Sequence, residues 1–209
     1  MGQEARCLAS HGARSAEGVV HLETDYLTFR DDAGDFRLRI PFKDVERADA
    51  TDGRLTVRFA GGAATFHLGA PAAKWAERIR APKPLVDKLD VRPGARVALV
   101  GATAGAGQDE LRGQLAERAE TIAVGRPRKE SDAIFLWVES ERDLARVGTL
   151  EPYMKRDGAL WVIHPKGKAG IPDTTVFAAA KAAGFTYTKV ARVSDTHTAE
   201  KLVIPKERR

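Results

Sequence analysis

The sequence predicts two domains of different class: an antiparallel β domain over residues 1–82 and a doubly wound α/β domain over residues 83–209. In the first part, apolar and polar residues alternate with a period of two, which is typical of half-buried strands. After residue 84, continuous apolar runs alternate with helical segments, as in parallel strands covered on both faces. Between these parts, RAPKP at 80–84 contains two prolines and favours a domain boundary.

The strands of the first domain show clearly in two segments. FRLRI at 36–40 and LTVRF at 55–59 place every second side chain on one face, so one side of the sheet is buried and the other meets water. Asp52-Gly53 supplies the positive φ angles of a tight hairpin, and Gly61-Gly62 gives a second turn. We expect a meander of six or seven short strands.

One helix closes the first domain, in APAAKWAERIRAP at 70–82, where Trp75 and Ile79 share a face. A strand meander closed by a helix with a buried Trp resembles the pleckstrin-homology-like superfold over residues 1–82. Lipid-binding members of that superfold carry a basic cluster in the first hairpin loop, so the resemblance implies that a lipid site would lie in that loop of this chain. SHGARS at 10–15 offers only His11 and Arg14, so we expect a structural or protein-docking module.

The second domain alternates strands and helices and ends in a hairpin. Ser140 and Asp143 predict a capping box for the helical region that follows the third strand. The expected helices are at 85–91, around Leu111 and Leu115, from Ser140, and at 176–184; the expected strands are at 96–100, 121–124, 133–138, 159–163, 186–193 and 200–204.

This order resembles the Rossmann-like methyltransferase fold over residues 84–204. The resemblance rests on DKLDVRPGARVALVGATAG at 87–105, SDAIFLWVE at 131–139 and YMKRDGALWVI at 153–163. At closer range, DGALWVIHPKGKAGIPD at 157–173, together with the terminal hairpin, resembles a small bacterial family of minimal Rossmann-like domains of unknown function. That resemblance implies no particular activity.

The glycine loop within VALVGATAGAG at 97–107 departs from the known nucleotide-binding patterns. The dinucleotide fingerprint fails because Glu110 stands where its last glycine belongs, and no P-loop string occurs. The methyltransferase resemblance implies an acid at Leu99 and a glycine at Thr103. It also implies an acid for the adenosine ribose, which AVGRPRK at 123–129 lacks. We therefore expect no cofactor and disfavour S-adenosylmethionine; the loop either receives an anion or only packs a strand against a helix.

Ligands of such sheets bind beyond the carboxyl ends of the strands. The basic residues there predict a pocket for a small anion or a nucleotide phosphate, although solvated loop residues explain them equally simply. Glu139 and His164 form a possible acid–base pair, but no catalytic set is assigned. The candidate ligand-binding residues are Gly101, Thr103, Gly105, Arg126, Arg128, Glu139, His164, Lys166 and Lys168.

Composition limits the function further. Residues 1–82 hold 12 basic and 12 acidic side chains and residues 83–209 hold 22 and 17, so the second half carries the whole net charge of +5. This modest excess favours a small anionic ligand over nucleic acid. Five scattered histidines and the lone Cys7 predict no metal site. No apolar run reaches the ~20 residues that span a bilayer, so no membrane insertion is expected.

We therefore expect a cytoplasmic, non-catalytic binding or regulatory protein whose partner is a small anion, a nucleotide or another protein. The alternative is an S-adenosylmethionine-dependent methyltransferase with an atypical glycine loop. A third possibility is an NADP-type binder that uses Arg126 and Arg128.

Overall fold

The structure is a computed structural model of the 209-residue chain and describes residues 2–101, 106–167 and 170–209. Three of the candidate ligand residues, Thr103, Gly105 and Lys168, lie outside the described residues. The chain divides into two compact units, Met1–Lys83 and Pro84–Arg209.

The first unit is a seven-stranded antiparallel sheet followed by one helix, so the expected meander is confirmed. The strand order is β4-β3-β2-β1-β7-β6-β5: β1 to β4 and β5 to β7 each follow sequence order, β1 pairs with β7, and β4 and β5 stand at the two ends of the order. The elements are β1 (Gln3–His11), β2 (Arg14–Leu22), β3 (Tyr26–Asp31), β4 (Arg37–Pro41), a 3-10 helix (Phe42–Asp44), β5 (Val45–Thr51), β6 (Arg54–Phe59), β7 (Gly62–His67) and α1 (Ala72–Arg80).

One face of this sheet forms the core of the first unit. Alternate residues of the strands are buried, as Leu55 and Val57 of β6 show, and they join Trp75 and Ile79 of α1 in one apolar cluster. Both of those α1 side chains are only 3% exposed, as their four-residue spacing predicts. The Asp52-Gly53 turn has φ angles of 48° and 73°, which is the conformation that its sequence predicts for a tight hairpin.

The second unit is a six-stranded mixed sheet with helices, as the alternating pattern predicts. Its strand order is β12-β13-β11-β10-β8-β9; strands β8 to β11 run parallel, and β13 runs antiparallel to both of its neighbours. The elements are α2 (Leu85–Lys88), β8 (Arg96–Gly101), α3 (Ala106–Arg118), β9 (Thr121–Val124), β10 (Ser131–Trp137), 3-10 helices (Glu141–Thr149 and Glu151–Tyr153), β11 (Met154–Pro165), α4 (Asp173–Ala182), β12 (Thr186–Arg192), β13 (His197–Val203) and a 3-10 helix (Lys206–Arg208).

Apolar layers cover both faces of this sheet. Leu160 and Val162 of β11 belong to the cluster that includes α4, whereas Trp161 and Ile163 belong to the cluster that includes Leu111 of α3. Because successive side chains of a strand point to opposite faces, one strand serves both layers. The helical region predicted from Ser140 is present as a 3-10 helix with its capping box. Among the helices that the structure describes, none has the length and apolar character needed to cross a bilayer.

Candidate functional site

The carboxyl edge of the second sheet contains a topological switch point. The chain goes from β8 to β9 on one side and returns to β10 on the other, so the strand order reverses between β8 and β10. Such reversals open a crevice that receives ligands in α/β sheets. In the register of the sheet, Trp137 lies opposite both Gly101 and Ile163, so these three residues form one row at this edge.

Gly101 is required by the sheet itself. Its φ angle is 105°, and a Cβ atom added there would clash with the carbonyl oxygen of Trp137. The close approach of β8 to β10 therefore explains this glycine without a ligand. For Gly101, the structure favours the packing interpretation over the anion-binding one.

The structure does not bring the predicted Glu139–His164 pair together. Glu139 lies on the sheet face of Trp137, whose indole Nε1–H donates a 2.9 Å hydrogen bond to Glu139 Oε1. His164 lies on the opposite face, where its Nε2 atom is 3.8 Å from Glu200 Oε1. Glu139 follows β10 and His164 lies near the end of β11, but the pleat of the sheet directs the two side chains to opposite faces.

Glu139 meets His197 instead. The Nε2 atom of His197 lies 3.7 Å from Glu139 Oε1, and its Nδ1 atom is 2.8 Å from the hydroxyl of Thr196. The imidazole also contacts the Trp137 ring, with 5.3 Å between ring centroids. We call Trp137, Glu139, Thr196 and His197 the Glu139 cluster. An imidazole beside a carboxylate can accept or donate a proton; here the carboxylate is 53% exposed, and His197 Nε2 is buried without a hydrogen-bond partner among the described residues.

Sequence reasoning missed His197 because nothing local marks it. It begins β13 and lies opposite Pro165 at the end of β11, a pairing that exists only because β13 inserts between β11 and β12. The sequence pattern predicted a final strand at 200–204. The register of that strand against β11 would have revealed that His197 lies at this edge.

The basic candidates differ in what surrounds them. Arg126 and Arg128 follow β9 and are exposed, and no residue in the described ranges forms a side-chain hydrogen bond or ion pair with either guanidinium. Lys166, in contrast, donates a 3.0 Å hydrogen bond from its ammonium to the carbonyl oxygen of Ser194. Lys166 therefore contacts the turn between β12 and β13, while the two arginines extend into solvent.

A second polar cluster lies on the other face of the same edge. His164 of β11, Asp173 at the start of α4 and Glu200 of β13 bring one nitrogen and two carboxylate oxygens within 4.8 Å of one another. We call these three residues the His164 cluster. Glu200 and Asp173 escaped the sequence analysis because they are far from His164 in sequence and follow no known ligand spacing.

A recess of about 300 Å³ lies at the opposite, amino edge of the sheet, lined by residues that include Asp90, Trp161 and Lys201. The ammonium groups of Lys189 and Lys201 lie 2.8 Å and 2.7 Å from the carboxylate of Asp90. Burial raises the pKa of Asp90, but these two cations outweigh it and hold the pKa below its usual value. The charges of this recess are thus largely paired with one another.

No protein-family model and no curated protein sequence matches the chain. Among solved structures, the chain is similar to an S-adenosylmethionine-dependent methyltransferase from Aquifex aeolicus, with 15% identity and a TM-score of 0.40 over 62% of this chain and 93% of that one. It is also similar to the B. subtilis tRNA methyltransferase TrmK (9% identity, TM-score 0.42, 59% of this chain and 66% of that one).

A third similar structure is the pyocyanin biosynthetic protein PhzM, with 16% identity and a TM-score of 0.41 over 64% of this chain. The matched region spans 59% of the length of PhzM, which is less than two thirds. With every one of these TM-scores below 0.5, the similarities assign neither an activity nor a ligand to this chain.

Proposed function

We propose that the second unit binds a small phosphate-bearing ligand of the nucleotide class at the carboxyl edge of its sheet, without catalysis of its own. The observation that carries the proposal is that two guanidinium groups, those of Arg126 and Arg128, follow β9 at this edge without a carboxylate partner, whereas several lysines of this unit are paired. Lys155, Lys189 and Lys201 each pair with a carboxylate. The two arginines have no carboxylate partner in the part of the chain that the structure describes.

The position of Arg126 and Arg128 connects their lack of a carboxylate partner to ligand binding. They directly follow β9, which pairs in parallel with β8, so they lie at the same edge as the switch point. Guanidinium groups bind phosphate oxygens through paired N–H donors. A phosphate at this edge would pair with the two guanidinium groups, which no carboxylate in the described residues does.

The remaining expectations are also proposals. We propose that the first unit is a pleckstrin-homology-like docking module, because seven antiparallel strands followed by one helix support that comparison. We also propose a cytoplasmic location, supported by a single cysteine, Cys7, that is buried.

Burial, with a smaller contribution from the charge of Glu17, raises the pKa of the Cys7 thiol to about 11, which keeps it protonated and unreactive.

The test is ligand binding by the full chain, with ATP and NADP as probes. Each probe is added at increasing concentration and the melting temperature is followed, since a ligand that binds only the native state stabilises it by mass action. We expect at least one probe to stabilise the protein, and the double variant Arg126→Ala/Arg128→Ala to weaken its binding at least tenfold, because about 1.4 kcal/mol is lost with the charge-assisted bonds.

The matched control is Arg92→Ala. Arg92 is also exposed, but it lines the recess at the amino edge. Its loss should leave the binding constant unchanged. Equal weakening by Arg92→Ala and by the double variant indicates nonspecific attraction to positive charge and contradicts the proposed site, as does a protein that neither probe stabilises.

The second candidate is an S-adenosylmethionine-dependent methyltransferase, and the Glu139 cluster favours it. In such a reaction His197 takes the proton that the substrate's nucleophilic atom releases as that atom gains the methyl group, and Glu139 stabilises the resulting imidazolium. The fit to the cofactor is incomplete, because Val124, Gly125 and Arg126 place no carboxylate at the end of β9 for a ribose.

The two candidates respond differently to one experiment. S-adenosylhomocysteine contains no phosphate, so its binding does not depend on Arg126 or Arg128. If it stabilises the protein, and the double arginine variant binds it as tightly as the unaltered chain does, the methyltransferase replaces the phosphate-binding function. The His197→Ala variant should then retain binding of S-adenosylhomocysteine and lose methyl transfer.

A further inference from the structure

His164, Asp173 and Glu200 come from three different elements and converge on one face of the second sheet. On β11 and β13, His164 lies opposite Thr198 and Val162 lies opposite Glu200, so His164 and Glu200 are diagonal neighbours on the same face. Asp173 is the first residue of α4, which packs over that face. The side chains of His164 and Glu200 are 0% and 1% exposed, whereas that of Asp173 is 60% exposed.

The polar atoms of these side chains are close to one another but are not hydrogen bonded. His164 Nε2 lies 3.8 Å from Glu200 Oε1 and 3.9 Å from Asp173 Oδ1, which is beyond hydrogen-bond range. Within the described residues, His164 Nε2 and both carboxylate oxygens of Glu200 have no hydrogen-bond partner at all. Buried polar groups without partners are costly, so an arrangement of this kind calls for a missing ligand.

The other nitrogen of His164 identifies the kind of ligand. His164 Nδ1 lies 3.1 Å from the backbone oxygen of Pro165. A carbonyl oxygen only accepts hydrogen bonds, so Nδ1 carries a proton, and in the neutral ring the Nε2 atom then holds a lone pair that faces the carboxylates. A backbone carbonyl that fixes the tautomer through the distal nitrogen is the usual support of a metal-binding histidine.

We propose that His164, Asp173 and Glu200 bind one divalent transition-metal ion, of the class that Zn²⁺ represents. The ion accepts the lone pair of His164 Nε2 and neutralises the carboxylates of Asp173 and Glu200. One imidazole and two carboxylates are a ligand set that Zn²⁺ accepts, with a fourth position left to water. Exposed Asp173 gives the ion a path from solvent.

The size of the site agrees with this ligand set. Zinc holds nitrogen and oxygen ligands at about 2.0–2.2 Å, which places tetrahedral ligands roughly 3.4 Å apart. The His164 separations of 3.8 Å and 3.9 Å exceed that spacing by roughly half an ångström, which small side-chain rotations close, and no separation in the cluster exceeds 4.8 Å. On binding, the ion connects the start of α4 to β11 and β13.

The experiment is a metal titration of the full chain after dialysis against a chelator. Zn²⁺ is added under calorimetry, and Co²⁺ serves as a spectroscopic probe because its visible absorption reports coordination geometry. We expect one ion per chain and the intense absorption of four-coordinate Co²⁺. Asp173→Asn, an exposed position whose change leaves the core intact, should weaken Zn²⁺ binding at least tenfold, and Glu200→Gln should do the same.

The control is His67→Asn, which removes an exposed histidine from the first unit. It should bind Zn²⁺ as the unaltered chain does. Circular dichroism of each variant separates loss of ligand from loss of fold, and Asp173→Asn decides the result if Glu200→Gln unfolds. An unaltered chain that binds no Zn²⁺, or binding that Asp173→Asn leaves unchanged, overturns the proposal and leaves His164 and Glu200 as a buried ion pair.

Discussion

The Glu139 cluster and the His164 cluster lie on opposite faces of the same edge. Each places a histidine beside a carboxylate, and the two carboxylates differ in their exposure to solvent. In the Glu139 cluster, the carboxylate is 53% exposed and accepts a hydrogen bond from Trp137. His197 Nδ1 is bonded to Thr196, while its Nε2 atom is buried and has no hydrogen-bond partner among the described residues. In the His164 cluster, the imidazole and the Glu200 carboxyl are buried, and the atoms that face each other have no hydrogen-bond partner in the part of the chain described.

This difference shows that the environment of a histidine–carboxylate pair decides its role. Water reaches the Glu139 carboxylate, so its charge costs little in stability, whereas the His197 side chain is only 18% exposed. His164 and Glu200 are removed from water, so each depends on the other or on a bound ion, whereas Asp173 is solvated. Disruption of the two clusters should therefore have effects of different size.

The largest effect is expected from His164→Leu. The substitution leaves the buried Glu200 carboxyl without its neighbour, and breaking a buried pair in this way costs roughly 3–5 kcal/mol of unfolding free energy. The double variant His164→Leu/Glu200→Leu removes both polar groups and should recover most of that loss. Urea unfolding in the presence of a chelator measures both. A double variant as unstable as the single one would show that the uncompensated Glu200 carboxyl is not the source of the loss.

A smaller effect is expected from Trp137→Phe. It removes the indole N–H that donates to Glu139 and should cost about 1 kcal/mol beyond the loss of ring volume. The matched control is Trp161→Phe, because Trp161 Nε1 is buried and has no partner among the described residues. The difference between the two unfolding free energies reports the hydrogen bond together with the ring contacts, which are His197 at Trp137 and Lys189 and Lys201 at Trp161. A Trp137→Phe loss no larger than the Trp161→Phe loss would contradict the contribution of the hydrogen bond.

The smallest effect is expected from Asp143→Ala, which acts on the backbone that carries Glu139. Asp143 accepts hydrogen bonds from the backbone N–H groups of Ser140 and Glu139, at 2.9 Å and 3.2 Å. Because the site is open to solvent, the loss at pH 7 should be no more than about 0.5 kcal/mol. Chemical unfolding at several pH values measures it.

The pH dependence of this effect follows from the pKa of Asp143. The hydrogen bonds from Ser140 lower that pKa below its usual value of 3.8. A carboxyl with a lowered folded pKa stabilises the protein above its unfolded pKa and loses that contribution as the pH falls through the folded pKa. The unfolding free energy that Asp143→Ala loses relative to the unaltered chain should therefore be largest at pH 7 and should decrease below about pH 3.8. A difference that grows with acid would contradict this origin.

Much of the fold could be predicted because its signals are local. The alternation in FRLRI and LTVRF sets which side chains of β4 and β6 are buried, and the Asp52-Gly53 turn follows from two residues alone. The capping box of Ser140 and Asp143 is likewise a four-residue pattern, and it is present. The glycine at 101 was also recognised as special, although its physical reason is the carbonyl of Trp137.

The candidate site was predicted only in part, because its contacts join distant segments. The sequence by itself determined the strand pattern, the final hairpin and the basic residues after β9, since each depends on neighbours along the chain. Only the tertiary structure decided that Glu139 meets His197 and that His164 meets Glu200. The insertion of β13 beside β11 sets which residues face each other, and the pleat assigns successive side chains to opposite faces.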